Sequence, residues 1–184
     1  MSPPSLAVPN RIKPIIARLI SQEAGFVDDP DDSGGATKYG ITNLSLSLWR
    51  DQRVTTEDVK QLTIEEATQI YFQRYWLTPN LRELKDFWVK EFLFDWGVNS
   101  GPITVIKLFQ DYIGTVPDGH IGPVTSKVLD EYIDTYRGLE QVAYGMLVDM
   151  RIIYYVRVVK RDLSQIKFLE GWIDRANSFR IYVT

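Results

Sequence analysis

The 184-residue sequence predicts a mostly α-helical fold with one minimal β-like segment after the first helix. Three observations carry this prediction. Apolar residues recur at helical spacing along most of the chain, turn-forming residues cluster in residues 28–40, and strand patterns are scarce elsewhere. Hydrophobic residues make up 45% and charged residues 24% of the chain, which is typical of a globular protein with a buried core.

The first helix is predicted over residues 11–24, with Asn10 as its N-cap. Its buried face is expected to carry five apolar side chains, namely Ile12, Ile15, Ile16, Leu19 and Ile20. Pro14 is tolerated because it falls in the first turn. Residues 28–40, rich in Asp, Pro, Ser and Gly, then predict turns or a short irregular hairpin.

Helical patterns resume after this loop. Thr63-Ile64-Glu65-Glu66 matches a capping box in front of a helix that extends to about residue 76. Residues 87–98 are apolar all round, which is typical of a buried helix. Further helices are predicted over residues 103–113, 124–132, 139–161 and 165–180. Two architectures fit this order, an all-α fold and a lysozyme-like α+β fold with the loop as its β-like part.

The residue counts exclude several kinds of chemistry. The absence of cysteine excludes thiol nucleophiles, disulfides and Cys-ligated zinc. A single histidine, His120, excludes His-rich metal sites and argues against a Ser-His-Asp triad. Lys and Arg number 21 against 24 Asp and Glu, a net charge of −3, so nucleic acid is not an expected partner. An enzyme of this composition is expected to work with carboxylates, as glycoside hydrolases do.

Neither a membrane span nor a signal peptide is expected. The most apolar stretch, residues 142–159, is interrupted by Asp149, Arg151 and Arg157. Residues 1–11 contain three prolines and no apolar segment of the kind that signal peptides carry. The sequence therefore predicts a soluble protein that starts in the cytoplasm.

Glu23 is the candidate general acid. It closes the first predicted helix and is followed by four aspartates within residues 28–32. A carboxyl group that donates a proton near neutral pH must have a raised pKa, and partial burial against apolar groups has this effect. Ile20 and Phe26 lie about one helical turn from Glu23 on either side and are the expected apolar neighbours.

The second catalytic group must be a carboxylate that stays ionised in a polar loop. Asp32, nine residues after Glu23, is the best candidate, and Thr37 is expected to help position a water molecule. The same loop composition also suits a solvated turn or a calcium site. Its spacing does not match the EF-hand template, which requires a glycine at position 6 and a glutamate at position 12.

The loop residues stand in a recognisable order, Glu23-Ala24-Gly25-Phe26 followed by Asp29-Pro30-Asp31-Asp32-Ser33-Gly34-Gly35-Ala36-Thr37-Lys38-Tyr39-Gly40-Ile41. This order resembles the signature of the glycoside hydrolase family 108 muramidases, lysozyme-like enzymes of phage endolysins and bacterial secretion-activator proteins. The family pattern opens on Glu-Gly-Gly-Tyr, and its glutamate is the catalytic acid. The resemblance therefore implies that role for Glu23. Ala24 and Phe26 depart from the pattern and leave the acid intact.

Further segments resemble the family's motifs in the family's order. They are Tyr71 with Tyr75-Trp76, residues 94–101, Leu108-Phe109-Gln110 with residues 118–125, and Gly171-Trp172 with Arg175. Leu108-Phe109-Gln110, followed by residues 118–125, resembles a peptidoglycan-binding motif. The resemblance implies a lysozyme-like catalytic lobe over residues 1–101 and a helical, peptidoglycan-binding-like part over residues 102–184, packed against it.

Substrate-binding candidates also have structural explanations. Asp95 and Asn99, one helical turn apart, either bind N-acetyl groups of the substrate or cap the helix end. Asp118 either contacts the substrate or makes a tight turn with Gly119, and His120 in that turn is expected to be exposed and inert. Four aromatic residues either stack on sugar rings or, as helical spacing favours, belong to the core. They are Tyr39, Trp49, Trp76 and Trp172.

The resemblance implies a peptidoglycan hydrolase that cleaves the β-1,4 bond between N-acetylmuramic acid and N-acetylglucosamine, for cell lysis or wall passage. No metal or organic cofactor is expected. The alternatives are a lytic transglycosylase acting on the same bond and a non-catalytic, wall-binding secretion helper. We expect a monomer that is made in the bacterial cytoplasm and acts in the periplasm or cell wall after release through a holin or a secretion apparatus.

Overall fold

The computed structural model describes residues 7–22, 25–28 and 35–180. The chain divides into two compact units, Met1–Arg74 and Tyr75–Thr184. The predicted boundary after residue 101 lies inside the second unit, between two helices that pack together. The assignment of a catalytic role to residues 1–101 and a binding role to residues 102–184 stays a prediction.

The helices of the first unit build its core. Among the described residues they are α1 (Lys13–Gln22), α2 (Asn43–Arg50), α3 (Thr56–Lys60) and α4 (Ile64–Tyr71). The five apolar side chains predicted for the buried face of α1 are all at most 6% exposed, and α1 packs against α4. The sequence reasoning missed α2 and α3, which have only 8 and 5 residues. Each begins at a threonine N-cap, Thr42 and Thr55 respectively.

The capping box predicted at Thr63 forms only in part. The Thr63 hydroxyl accepts from the Glu66 N–H at 3.1 Å, as predicted. The Glu66 carboxylate does not return to the N-cap, because Arg50 Nε and Nη2 donate to its two oxygens at 2.9 and 2.7 Å. Such a bidentate, charge-assisted pair is stronger than a neutral hydrogen bond. A complete capping box occurs instead between Thr55 and Asp58.

The β-like segment is a small antiparallel sheet with three described strands. Its strand order is β1-β2-β3, with β1 at Phe26–Val27, β2 at Thr37–Lys38 and β3 at Ile41–Thr42. A two-residue turn joins β2 to β3, in which Tyr39 and Gly40 have φ of 54° and 70°. Hairpin turns of type I′ need positive φ at both central positions, and glycine meets this need without strain. The structure confirms the predicted mostly α, lysozyme-like α+β fold.

A π-helical segment, Phe72–Leu77, continues α4, so the helix predicted to residue 76 ends in wider turns. The second unit is helical. Its described elements are a 3₁₀ turn at Leu81–Glu83, α5 (Phe87–Ser100), α6 (Pro102–Tyr112), α7 (Pro123–Thr135), α8 (Glu140–Arg161), a 3₁₀ turn at Leu163–Gln165 and α9 (Ile166–Asn177).

Helix α5 lies at the centre of the second unit. Phe92, Leu93, Phe94 and Trp96 are each at most 2% exposed, which confirms the buried helix that the sequence predicts. Helix α5 packs against α6, and α8 packs against α9. Over the described ranges, no helix combines the length and the apolarity that crossing a membrane requires.

Candidate active site

The two carboxylates predicted for catalysis, Glu23 and Asp32, lie outside the described residues. Their described neighbours in the sequence belong to regular elements, since α1 ends at Gln22 and β1 begins at Phe26. Asp28, the described aspartate of the loop, is exposed to solvent. The catalytic roles of Glu23 and Asp32 stay predictions.

Thr37 lies on the central strand of the small sheet. It pairs with Val27 of β1 on one side and with Thr42 of β3 on the other. Its half-buried hydroxyl donates to the Gly35 carbonyl oxygen at 3.4 Å. Because a hydroxyl oxygen also has two acceptor sites, this arrangement leaves Thr37 able to accept a hydrogen bond from a water molecule.

Tyr39 lies in the turn after Thr37 and is half-buried. The Tyr71 hydroxyl donates to the Tyr39 carbonyl oxygen at 3.0 Å, which ties the turn to α4. The Lys38 ammonium lies 5.1 Å from the centroid of the Tyr39 ring and donates to the Lys60 carbonyl oxygen at 2.6 Å. The turn is therefore held from two sides, and substrate stacking by Tyr39 stays a prediction.

Asp95 lies in the interior of the second unit and is only 2% exposed. Arg175 donates to it through Nε and Nη2 at 3.0 to 3.2 Å. Arg151 Nη1 lies 3.0 Å from Asp95 Oδ2, an ion pair without hydrogen-bond alignment. In this structure the carboxylate is thus occupied by two guanidinium groups, and substrate binding by Asp95 stays a prediction.

Arg151 is the residue at this cluster that sequence reasoning missed. It is fully buried, and its Nε donates to the Tyr155 hydroxyl at 2.9 Å. Its guanidinium carbon lies within 5.8 Å of the centroids of three aromatic rings, those of Phe92, Tyr155 and Phe179. Burial raises the pKa of Tyr155, which keeps its hydroxyl protonated. The sequence feature that could have identified Arg151 is a charged residue inside the most apolar stretch, residues 142–159.

Neither Asp95 nor Asn99 supplies the cap of α5. Gly101 closes the helix, with φ of 82° and its N–H donating to the Gly97 carbonyl oxygen at 2.9 Å. Asn99 is exposed at the last turn of the helix. A role of Asn99 toward N-acetyl groups stays a prediction, and its exposure is compatible with that role.

Asp118 is exposed and shapes the turn between α6 and α7. Its Oδ1 accepts from the His120 N–H at 2.9 Å and from Gln110 Nε2 at 2.8 Å. The His120 N–H, and then the Gln110 amide, hold the pKa of Asp118 below its usual value. His120 itself is exposed, as expected.

Gln110 organises this turn from within α6. It is 1% exposed, and Nε2 donates also to the His120 carbonyl and to Thr125 Oγ1, at 3.0 and 3.1 Å. Its Oε1 accepts from the Gly119 N–H at 2.8 Å. The two segments that resemble a peptidoglycan-binding motif therefore meet in one hydrogen-bonded turn. The sequence shows both segments, but only the structure joins them.

The candidate stacking residues differ in exposure. Trp76 is 5% exposed and belongs to the core. Trp172 is half-buried and stacks against Tyr155 and Phe168, with ring centroids 5.1 and 5.8 Å apart. Trp49 is half-buried, and its indole N–H has no acceptor among the described residues.

No group of three or more metal-ligating side chains occurs in the described parts of the chain. The loop whose composition also suits calcium includes residues 29–34, which lie outside those parts.

Comparisons with known proteins agree with this architecture. The family model described as glycosyl hydrolase 108 matches residues 16–101, and that of a predicted peptidoglycan domain matches residues 104–177. The chain is also similar to the solved structure of Brucella abortus SagA, with 30% sequence identity and a TM-score of 0.75. The similarity covers 92% of this chain and 91% of that chain. No curated protein sequence matches the chain.

The family matches confirm the resemblance found in the sequence and favour an enzyme over a non-catalytic helper. They also support peptidoglycan as the partner. The N-terminal match is to a hydrolase family, and the C-terminal match is to a predicted peptidoglycan domain. The chain therefore belongs to the glycosyl hydrolase 108 family and is a peptidoglycan hydrolase with a C-terminal peptidoglycan-binding part.

Proposed function

We propose that the enzyme is an N-acetylmuramidase, which hydrolyses the β-1,4 bond between N-acetylmuramic acid and N-acetylglucosamine. The observation that carries this proposal is the hairpin after α1. Helix α1 ends at the residue before Glu23, and the pairing of Val27 with Thr37 brings the two ends of the intervening loop side by side. A glycosidase needs an acid and a polar partner across one cleft, and this topology supports that arrangement.

In the proposed reaction Glu23 donates its proton to the glycosidic oxygen while the bond from this oxygen to the anomeric carbon breaks. Positive charge then develops on the N-acetylmuramic acid ring. Asp32, ionised, stabilises this charge or takes a proton from the attacking water, and Thr37 accepts a hydrogen bond from that water. Water oxygen adds to the anomeric carbon and loses a proton to Asp32 or, where Asp32 only stabilises the charge, to the Glu23 carboxylate. The leaving sugar keeps the proton first given by Glu23.

The proposed place of action follows from the substrate. Peptidoglycan lies outside the cytoplasmic membrane, so the enzyme would act in the periplasm or cell wall, in cell lysis or in local opening of the wall. Addition of the purified protein to cells with a permeabilised outer membrane tests the lytic role. Loss of turbidity with wild type and not with an acid-deficient variant supports lysis.

The proposed bond and acid are tested by digesting purified murein with wild type and with Glu23→Gln. We expect wild type to release fragments with reducing N-acetylmuramic acid ends, and the variant to be at least about a hundredfold slower, as for loss of a general acid. Asp28→Asn, in the same loop, is the matched control and should stay close to wild type. Circular dichroism should show the same fold in all three proteins.

Mass spectrometry of the fragments separates hydrolysis from transglycosylation, because 1,6-anhydro ends are lighter by one water. Anhydro fragments from wild type would assign a lytic transglycosylase. Near-normal activity of Glu23→Gln would remove Glu23 as the acid.

A further inference from the structure

A groove runs between α6 and α8 in the second unit, with Trp96 of α5 at its floor. We call it the α6–α8 groove; its volume is about 390 Å³. The α8 side includes Met146, Ile153 and Arg157, which follow one face of the helix because they are spaced by seven and four residues. All of these residues belong to one compact unit.

Most of the wall of the α6–α8 groove is apolar and uncovered, and Asp149, which also lines it, is ion-paired with Arg180. Tyr112 on α6 is 36% exposed, and Met146 and Ile153 on α8 are 39% and 49% exposed. Apolar side chains that line a concave surface in this way are typical of ligand sites. Trp96 beneath the groove is fully buried, so it supports the apolar lining without offering a ligand an accessible hydrogen-bond donor.

The groove has two charged ends of opposite sign. The Tyr112 hydroxyl lies 3.4 Å from that of Tyr132, which lies 3.9 Å from Met146 Sδ, so the end of α6 that carries Asp111 adjoins the Met146 end of the α8 wall. Arg157 follows Met146 by eleven residues, which is about 16 Å along a helix that rises 1.5 Å per residue. Within the described residues, neither Asp111 nor Arg157 has a side-chain partner.

These dimensions match a short peptide. An extended chain spans about 3.3–3.6 Å per residue, so about 16 Å holds four or five residues. A glycan strand presents hydroxyl groups along its whole length, and the Leu108, Met150 and Ile153 side chains of the walls offer no partners for them. A carboxylate at one end and a guanidinium at the other suit a ligand that carries both an amine and a carboxylate.

We infer that the α6–α8 groove binds the stem peptide of peptidoglycan, the short chain of alanine, an acidic residue and a diamino acid attached to the glycan. The inference rests on the proposed function only in taking peptidoglycan as substrate. The alanine methyl groups contact the apolar walls, a stem-peptide carboxylate pairs with Arg157, and the amine of the diamino acid pairs with Asp111. The second unit would thereby hold the wall by its peptides while the glycan is cleaved elsewhere on the protein.

The test uses the full chain and two probes, the tetrapeptide that an amidase releases from peptidoglycan and the peptide-free glycan strands that remain. Isothermal titration calorimetry should show binding of the tetrapeptide, weakened at least about tenfold by Arg157→Gln. Arg161→Gln is the matched control, because Arg161 is an exposed arginine one turn further along α8 that does not line the groove. It should bind as wild type does. In NMR spectra, the indole N–H resonance of Trp96, which lies beneath the groove, should shift when the tetrapeptide binds.

Three results would overturn the inference. They are no binding of the tetrapeptide to wild type, equal losses in the Arg157 and Arg161 variants, and glycan strands that displace the tetrapeptide from the groove. Because Arg157 is exposed, its replacement should leave the melting temperature unchanged, and circular dichroism verifies this. The tetrapeptide has no glycosidic bond, so binding is independent of cleavage. Wild type that cleaves murein without binding the peptide contradicts this inference alone, and peptide binding without cleavage contradicts the proposed function alone.

Discussion

The loop and hairpin that follow α1 and the interior of the second unit use carboxylates in opposite ways. Residues 23–42 include five acidic residues, of which the described one, Asp28, is exposed. In the second unit Asp95 is 2% exposed and lies against two arginines. An exposed carboxylate is free to act on a ligand, whereas a buried one must be paired because an unpaired buried charge is costly.

This difference shows why residue type alone does not identify a site. Asp95 and Asn99 have the spacing of a substrate-binding pair on α5, but they differ in exposure to solvent. Asp95 forms an internal ion-pair cluster, and Asn99 faces solvent. Carboxylates with a structural role should affect folding when they are replaced, and those with a chemical role should affect rate. The following predictions test this distinction, from the largest expected effect to the smallest.

Asp95→Asn tests the buried cluster. Arg151 and Arg175 would lose their shared counter-charge, and removing one partner of a buried ion pair costs about 3–5 kcal/mol of unfolding free energy. Denaturant unfolding monitored by circular dichroism measures this loss. Asp174→Asn, an exposed acid on α9, should change little. An Asp95 variant with normal stability and lost activity would break the comparison and place Asp95 at the substrate.

Asp32→Asn tests the loop. If Asp32 activates the attacking water or stabilises the positive charge on the sugar ring, its replacement should lower the rate by roughly two orders of magnitude, the lower range for loss of a general base. Asp28→Asn should cost little, and the melting temperature of both variants should stay unchanged. A modest rate loss with lower stability would show that Asp32 only shapes the turn, and Thr37→Ala would then be the damaging change. Equal, mild effects at all loop aspartates would show that the second catalytic carboxylate lies elsewhere in the chain.

Gly119→Ala tests the turn of the peptidoglycan-binding-like motif. Gly119 has φ of 88°, and an added Cβ would lie 2.9 Å from Ile103 Cγ2. A left-handed conformation costs an L-residue about 1–2 kcal/mol, so we expect the unfolding free energy to fall by that amount. Gly122→Ala is the control, because Gly122 has φ of −111° and a Cβ added there would have no other atom within 4 Å. Equal stability of the two variants would contradict a conformational requirement at Gly119.

Asp118 should give the smallest effect, because it is exposed. Its folded-state pKa is lowered, so its stabilising contribution is present above the unfolded pKa of about 3.9 and is lost as pH falls through the folded value. The melting temperature of Asp118→Asn should therefore approach that of wild type only as pH falls below the lowered folded pKa of Asp118, where both side chains are neutral. A loss of peptidoglycan binding without this convergence would favour substrate contact by Asp118.

Local patterns predicted much of the fold. The apolar spacing of α1 placed all five of its buried side chains, and the cluster of Gly, Asp and Ser marked the small sheet. Helices α2 and α3 were missed, because 8 and 5 residues are too few for periodicity to stand out. Composition alone led only to paired carboxylates. The loop after the first helix indicated Glu23 as the candidate acid, and the family resemblance supported that role and added the C-terminal binding part.

The sequence by itself determined the longer helices, the turn residues and the family, since each depends on neighbours along the chain. Tertiary structure decided the partners of the charged groups. The Glu66 carboxylate binds Arg50, 16 residues away, and does not complete the predicted capping box. Asp95 pairs with Arg175, 80 residues away. Local spacing does not encode such pairs. They form where tertiary packing excludes water from a charged group, because that group must then pair with an opposite charge nearby in space.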